Sequence, residues 1–222
     1  MCGRKTLTKG KMDIIREFSI NLWEEDFQWE PHYNIAPTMR VPILICGRGR
    51  EIKGMYWGLI PSWSKDEKIA VKMINARAET LLQRPSFSRL LAKNRCVVIS
   101  DGYYEWKREG NFKVPFYIRR KDDGFLPMAG LYDVWIDPDR NKKFTYTVIT
   151  TDAIGKIRDI HNRMPAILER DEVNKWIDWR HYDYNKVVDL LRPNSDNLDF
   201  YPVSKLVNDV RNNSLKCIQR VK

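Results

Sequence analysis

Between residues 95 and 150 apolar and polar positions change over in short runs, and this stretch decides the class of the fold. The runs at 96–100, 103–107, 114–120, 127–135 and 144–151 are rich in β-branched and aromatic residues and predict strands. Asp101-Gly102, Glu109-Gly110 and Asp123-Gly124 fall between them as turn signals. Upstream, 41–46 and 51–58 flank Gly47-Arg48-Gly49-Arg50 and predict a β-hairpin. Helical spacing places Met12, Ile15 and Phe18 on one face of residues 8–18, with Thr8 as the cap. Further helices are predicted at 86–93, about 170–178 and 184–192, and residues 30–40 are turn-rich and extended or looped around Pro37. A late strand at 200–204 precedes a basic tail, 206–222. No repeat or low-complexity linker interrupts the chain. The pattern predicts one α+β domain over 1–222, a mostly antiparallel β-barrel-like core with peripheral helices.

Composition narrows the partners. The 222 residues are 43% hydrophobic, with 8 Trp, 10 Tyr and 8 Phe, which excludes a disordered chain. No apolar run is long enough for a transmembrane helix, and no apolar stretch follows the opening residues as a secretory signal would require. Cys2, Cys46, Cys96 and Cys217 are scattered without a disulfide pattern, so a reducing, cytoplasmic compartment is expected, with Cys96 a buried apolar residue. The lack of CxxC and HxxxH spacings, with only His32, His161 and His181 available, argues against zinc. The net charge of +10 points to a polyanion such as DNA, RNA or an anionic membrane, without choosing among them.

Cys2 adds chemistry to that charge. Methionine is usually removed before a small second residue, and the chain would then begin with a free α-amine beside a thiol. Their ordinary pKa values, about 7.7–8.0 and about 8.5, leave each with a reactive fraction near neutral pH. Such a 1,2-aminothiol condenses with an aldehyde: the amine forms an imine, and the thiolate adds to its carbon to close a thiazolidine, favoured because closure is intramolecular.

Six segments occur in order: Met1-Cys2-Gly3-Arg4, Tyr33-Asn34-Ile35-Ala36-Pro37, Trp57-Gly58-Leu59-Ile60-Pro61, Ile74-Asn75-Ala76-Arg77-Ala78-Glu79, Asp101-Gly102-Tyr103-Tyr104-Glu105-Trp106 and His161-Asn162-Arg163-Met164-Pro165. Together they resemble the SRAP family (SOS response-associated peptidase domain), abasic-site processing proteins that crosslink to DNA. The resemblance runs from Cys2 to about Lys205. It implies a compact α+β, barrel-like domain that binds single-stranded DNA at an abasic site, in the DNA damage response. The N-terminal Cys2 would trap the C1′ aldehyde of the opened deoxyribose and shield the lesion, with no metal or cofactor. It further implies a monomer, cytoplasmic and nucleoid-associated when bound to DNA, attended by replication or repair proteins. Autoproteolysis, the source of the family's name, is unnecessary where only Met1 precedes Cys2.

The resemblance assigns roles by residue. Asn75 would hold the Cys2 backbone or the sugar hydroxyl, since an amide both donates and accepts. Glu105, among aromatics and on the same strand face as Tyr103, would shuttle protons with a raised pKa. His161 would protonate the ring oxygen or assist reversal. Arg4, Arg77 and Arg163 would hold phosphates. Trp63 and the loop from Asn34 through Pro37 to Thr38 would stack on or wedge against flanking bases with little sequence preference, while Trp106 and Trp135 belong to the core. Lys5 departs from the family pattern, in which Phe or Tyr follows the opening Arg. Two other readings remain. One is an N-terminal-nucleophile cysteine peptidase or amidase using Cys2, with Asn75 in an oxyanion hole. The other is a non-catalytic nucleic-acid-binding protein.

Overall fold

The protein is seen in a computed structural model that describes residues 2–221; Met1, whose removal is expected, and Lys222 lie outside the described residues. In chain order the strands are β1 (Lys5–Leu7), β2 (Leu22–Trp23), β3 (His32–Ile35), β4 (Arg40–Cys46), β5 (Arg50–Trp57), β6 (Asn75–Arg77) and β7 (Arg95–Val98). They continue as β8 (Gly102–Glu109), β9 (Phe112–Arg120), β10 (Met128–Ile136), β11 (Lys142–Asp152), β12 (Arg163–Pro165) and β13 (Leu198–Pro202). The α-helices are α1 (Lys11–Phe18), α2 (Pro85–Ser88) and α3 (Glu172–Ile177). No helix among the described residues is long and apolar enough to cross a membrane.

The order β11-β10-β7-β4-β5 is closed by a parallel pairing of β5 with β11, Thr145 opposite Tyr56. A five-strand ring results, and closure leaves no open edge within it. The Val41-Pro42-Ile43-Leu44-Ile45 run is buried on both faces, because one face fills the ring and the other is covered from outside. The second sheet runs β13-β9-β8-β1-β3. It threads β1 between two strands, with Lys5 opposite Tyr103 on one side and Ile35 on the other. That placement draws the start of the chain into the interior, where Cys2 is fully buried.

Two short strands flank β11. On one side β6 runs parallel to it, with Asn75 opposite Val148 and Arg77 opposite Thr150; on the other β12 runs antiparallel, with Arg163 opposite Asp152. Gly58 follows β5 at φ 118°, and a Cβ there would lie 2.7 Å from the Ala70 carbonyl oxygen. Only glycine lets the 3₁₀ segment Glu67–Lys72 lie this close to β5.

The barrel-like α+β class and all the central strands agree with the sequence pattern. The helices are shorter than expected. α1 starts at Lys11 behind Gly10, while Thr8 donates to the Asp101 carboxylate at 2.6 Å rather than capping the helix. The segment at 86–93 keeps one helical turn, Pro85–Ser88, and 184–192 holds only the 3₁₀ turns Tyr184–Lys186 and Val188–Leu190. There the β-branched pair Val187-Val188 disfavours a helix and Pro193 ends it. The basic tail is folded: Val207 and Cys217 are fully buried, and Tyr201 donates its hydroxyl to the Ile218 carbonyl at 3.0 Å.

Candidate functional site

The site is built around Cys2. β6 carries Asn75, whose Nδ2 donates to the Cys2 carbonyl oxygen at 2.8 Å. Its Oδ1 is buried and has no partner among the described residues. Tyr103 and Tyr146, both fully buried, likewise have hydroxyls without a partner among the described residues. Glu105 on β8 is buried, and loss of solvent pushes its carboxyl up to about 7. Burial, reinforced by the Glu105 charge, pushes the Cys2 thiol up to about 12. In this seat burial opposes the thiolate that a free aminothiol shows near neutral pH.

His161 lies two residues ahead of the start of β12, in the motif singled out by sequence. Its Nδ1 accepts the Arg163 backbone N–H at 3.0 Å, which leaves Nε2 to carry the proton of the neutral ring. Burial lowers its pKa below the ordinary value, so the ring is neutral near pH 7. Thr150 of β11 has Arg77 beside it on one flank and Pro165 on the other. The structure thus joins Cys2 and Asn75 directly, buries Glu105 with them, and sets His161 in the turn that leads into β12.

Three expected DNA contacts are turned inward instead. Arg163 is buried; its guanidinium donates to Glu79 at 2.8 and 3.0 Å, to Asp152 at 2.6 Å and to the Thr150 carbonyl at 2.6 Å. Arg4 donates to Asn34 Oδ1 at 2.7 Å and to the Val207 carbonyl at 2.6 Å. Asn34 is fully buried, and its Nδ2 lies 3.3, 3.0 and 2.9 Å from the carbonyls of Val207, Asp209 and Asn212. These side chains fasten the C-terminal segment and the β11–β12 edge. Trp135 is buried as expected, whereas Trp106 is only half-buried and lies under the Arg4 guanidinium, 5.9 Å from the ring centroid.

The remaining contacts lie outside. Arg77 is exposed, Pro37 is half-buried, and Trp63 is 58% exposed. Asn75 and Arg77 line a groove of about 610 Å³ together with Lys72 and Arg84. Through Ile69 and Lys72 it adjoins a second hollow of about 710 Å³ that reaches Trp63, Lys65 and Lys68. A basic, aromatic-ended trough therefore ends at the residue that holds Cys2. Lys72 and Arg84 were not singled out from the sequence; the mixed-charge stretch around 65–72 was the available signal.

The family model described as "SOS response associated peptidase (SRAP)" matches residues 1–210, and the chain belongs to that family. It is 41% identical over 222 residues, 99% of each chain, to a Bacillus subtilis (strain 168) protein named abasic site processing protein YoqW. It is 33% identical over 260 residues to a Gallus gallus protein named abasic site processing protein HMCES, covering 98% of this chain and 77% of the other. A crystal structure of a protein from Bacteroides thetaiotaomicron superposes with a TM-score of 0.88 at 29% identity, covering 100% of both chains.

Proposed function

We propose that this protein processes abasic sites in single-stranded DNA by forming a covalent thiazolidine through Cys2 once Met1 has been removed. The observation that carries the reading is the double position of Asn75, which holds the Cys2 carbonyl and lines the basic groove. A strand laid along Trp63, Lys72, Arg84 and Arg77 would deliver its lesion to the buried aminothiol. The cations neutralise phosphates, and the exposed indole stacks on a base without reading sequence. The names of the relatives support the same substrate.

The chemistry follows from the pocket. The α-amine adds to the C1′ aldehyde to give a carbinolamine. Glu105, with its carboxyl near neutrality, hands a proton to the departing hydroxyl, and water leaves as the C=N bond forms. The positive iminium then draws the thiol proton off to the Glu105 carboxylate, and sulfur adds to the carbon. Glu105 is regenerated, nitrogen ends as a secondary amine, and the balance is one aldehyde plus one aminothiol giving one thiazolidine and one water. Neutral His161 serves as a proton carrier for opening the sugar ring.

The test is a denaturing gel of Met1-processed protein, verified by intact mass, with single-stranded DNA bearing one abasic site. A slow-migrating adduct is expected, absent with Cys2→Ala and with undamaged DNA. No adduct from a protein with a free N-terminal Cys2 would overturn the reading and turn attention to peptide substrates.

A further inference from the structure

A smaller hollow, of about 270 Å³, takes no part in the scheme above. Tyr56, Trp57, Ile60, Ala70 and Val71 give it aromatic and apolar walls. Thr145 also lines it and is fully buried; its hydroxyl accepts the Ile60 N–H at 2.9 Å, and its own proton meets no acceptor among the described residues. The Glu67 carboxylate at this hollow is already paired with Lys143 at 2.8 Å, and the Lys143 ammonium lies 5.1 Å from the Tyr56 ring centroid. Thr38, exposed where it lines the hollow, is held at φ 73° with its N–H on the Trp57 carbonyl at 2.8 Å, a conformation that a β-branched residue rarely adopts. The volume lies just under the roughly 300 Å³ at which pockets for drug-sized ligands begin, so it suits a single flat ring system.

Two links tie this hollow to the path of the strand. Lys68 and Val71 line both it and the hollow beside Trp63. Trp57 donates its indole N–H at 2.9 Å to the carbonyl of Ile74, the residue before Asn75. We propose that this hollow receives one nucleobase of the bound strand, turned out of its stack beside the lesion. The inference rests on the single-stranded DNA reading. A missing base leaves its neighbour without a stacking partner on one side, which lowers the cost of turning that neighbour out. The aromatic and apolar walls take the faces of the base, and the Thr145 hydroxyl donates to its edge. Every base carries an acceptor on its edge, so one donor holds any of the four without selecting among them. Lys68, exposed where the two hollows meet, takes the phosphate.

Fluorescence anisotropy with strands that cannot crosslink tests this. Tetrahydrofuran, a baseless sugar without an aldehyde, replaces the lesion, and a second tetrahydrofuran removes one neighbouring base at a time. At one position the unmodified protein is expected to lose about tenfold in affinity, the scale of one base–aromatic contact. Tyr56→Ala is expected to weaken binding to the strand that has this base by a similar factor. Binding of Tyr56→Ala to the strand without it should stay within about twofold of the unmodified protein, because both changes remove the same contact. Thr145→Val, which keeps the shape and drops the hydroxyl, should show the same pattern at about threefold. Thermal melting confirms that each variant is folded. Equal losses on both strands, or no neighbouring position at which the base counts, overturns the proposal. If the unmodified protein binds none of these strands, the single-stranded DNA reading falls and the base pocket with it. If it binds them but forms no adduct with a true abasic site, only the thiazolidine reading fails, and these affinities still decide the pocket.

Discussion

The two carboxylate oxygens of Glu79 grip the two terminal nitrogens of Arg163, at 2.8 and 3.0 Å, across 84 residues of sequence. The Arg163 side chain is only 8% exposed while that of Glu79 is 48% exposed, so the pair sits at the boundary of core and solvent. Arg163 accordingly stabilises the β11–β12 edge. Arg163→Ala is expected to lower stability by about 2 kcal/mol, less than for a wholly buried pair. The salt dependence of binding to single-stranded DNA should stay as it was. Urea melts and a salt titration of binding check the two halves.

Arg77 and Lys72 are the opposite case. Both are exposed and both line the groove beside Asn75. Replacing either by Ala should leave melting unchanged and reduce the slope of log affinity against log salt by about 0.7, as loss of one single-strand phosphate contact requires. Fluorescence anisotropy with an undamaged oligonucleotide reads this without the covalent step.

Glu105 ties stability to pH. Its carboxyl is raised from 4.5 to about 7 by burial, so between those values the folded state binds the proton that the unfolded state has released. Stability is then fullest below about 4.5 and falls as pH rises through about 7, by at most about 3 kcal/mol for this group. Glu105→Gln should flatten that decline in thermal melts between these limits. The same variant should crosslink about a hundredfold more slowly, the usual scale for losing a general acid–base group.

Asn34 serves three carbonyls with one amide and receives Arg4 on its oxygen. Asn34→Ala leaves these buried groups without their partner, at a cost of about 3 kcal/mol. The segment 205–217 should become the first site of limited proteolysis. Mapping the cleavage by mass spectrometry checks this, and cleavage elsewhere first would count against the fastening role.

What could be read from the sequence divides along physical lines. Strands 96–100 through 144–151 were legible because β-branched runs and Gly turns are local signals, and burial of Glu105 followed from its aromatic neighbours. The inward turn of Arg4, Asn34 and Arg163 was not legible. Each owes its partners to chain tens to hundreds of residues away, and a guanidinium suits a phosphate and a pair of carboxylates equally. β6 was missed because Asn75-Ala76-Arg77 carries no strand signal of its own; its edge pairing with β11 makes it a strand. The thiol's raised pKa is not legible in the sequence because a free aminothiol in water keeps ordinary values, whereas the fold draws Cys2 into its interior.

The bond from Arg4 to the Val207 carbonyl spans 203 residues. During synthesis Arg4 emerges with the first residues, yet the carbonyl it donates to emerges almost last. A nascent chain halted before Val207 has Arg4 but not this partner, so the clasp closes only once Val207 has been made. The topology thus fastens the segment that leads into β1 to the last stretch of the described chain, so the two are set together late rather than in chain order.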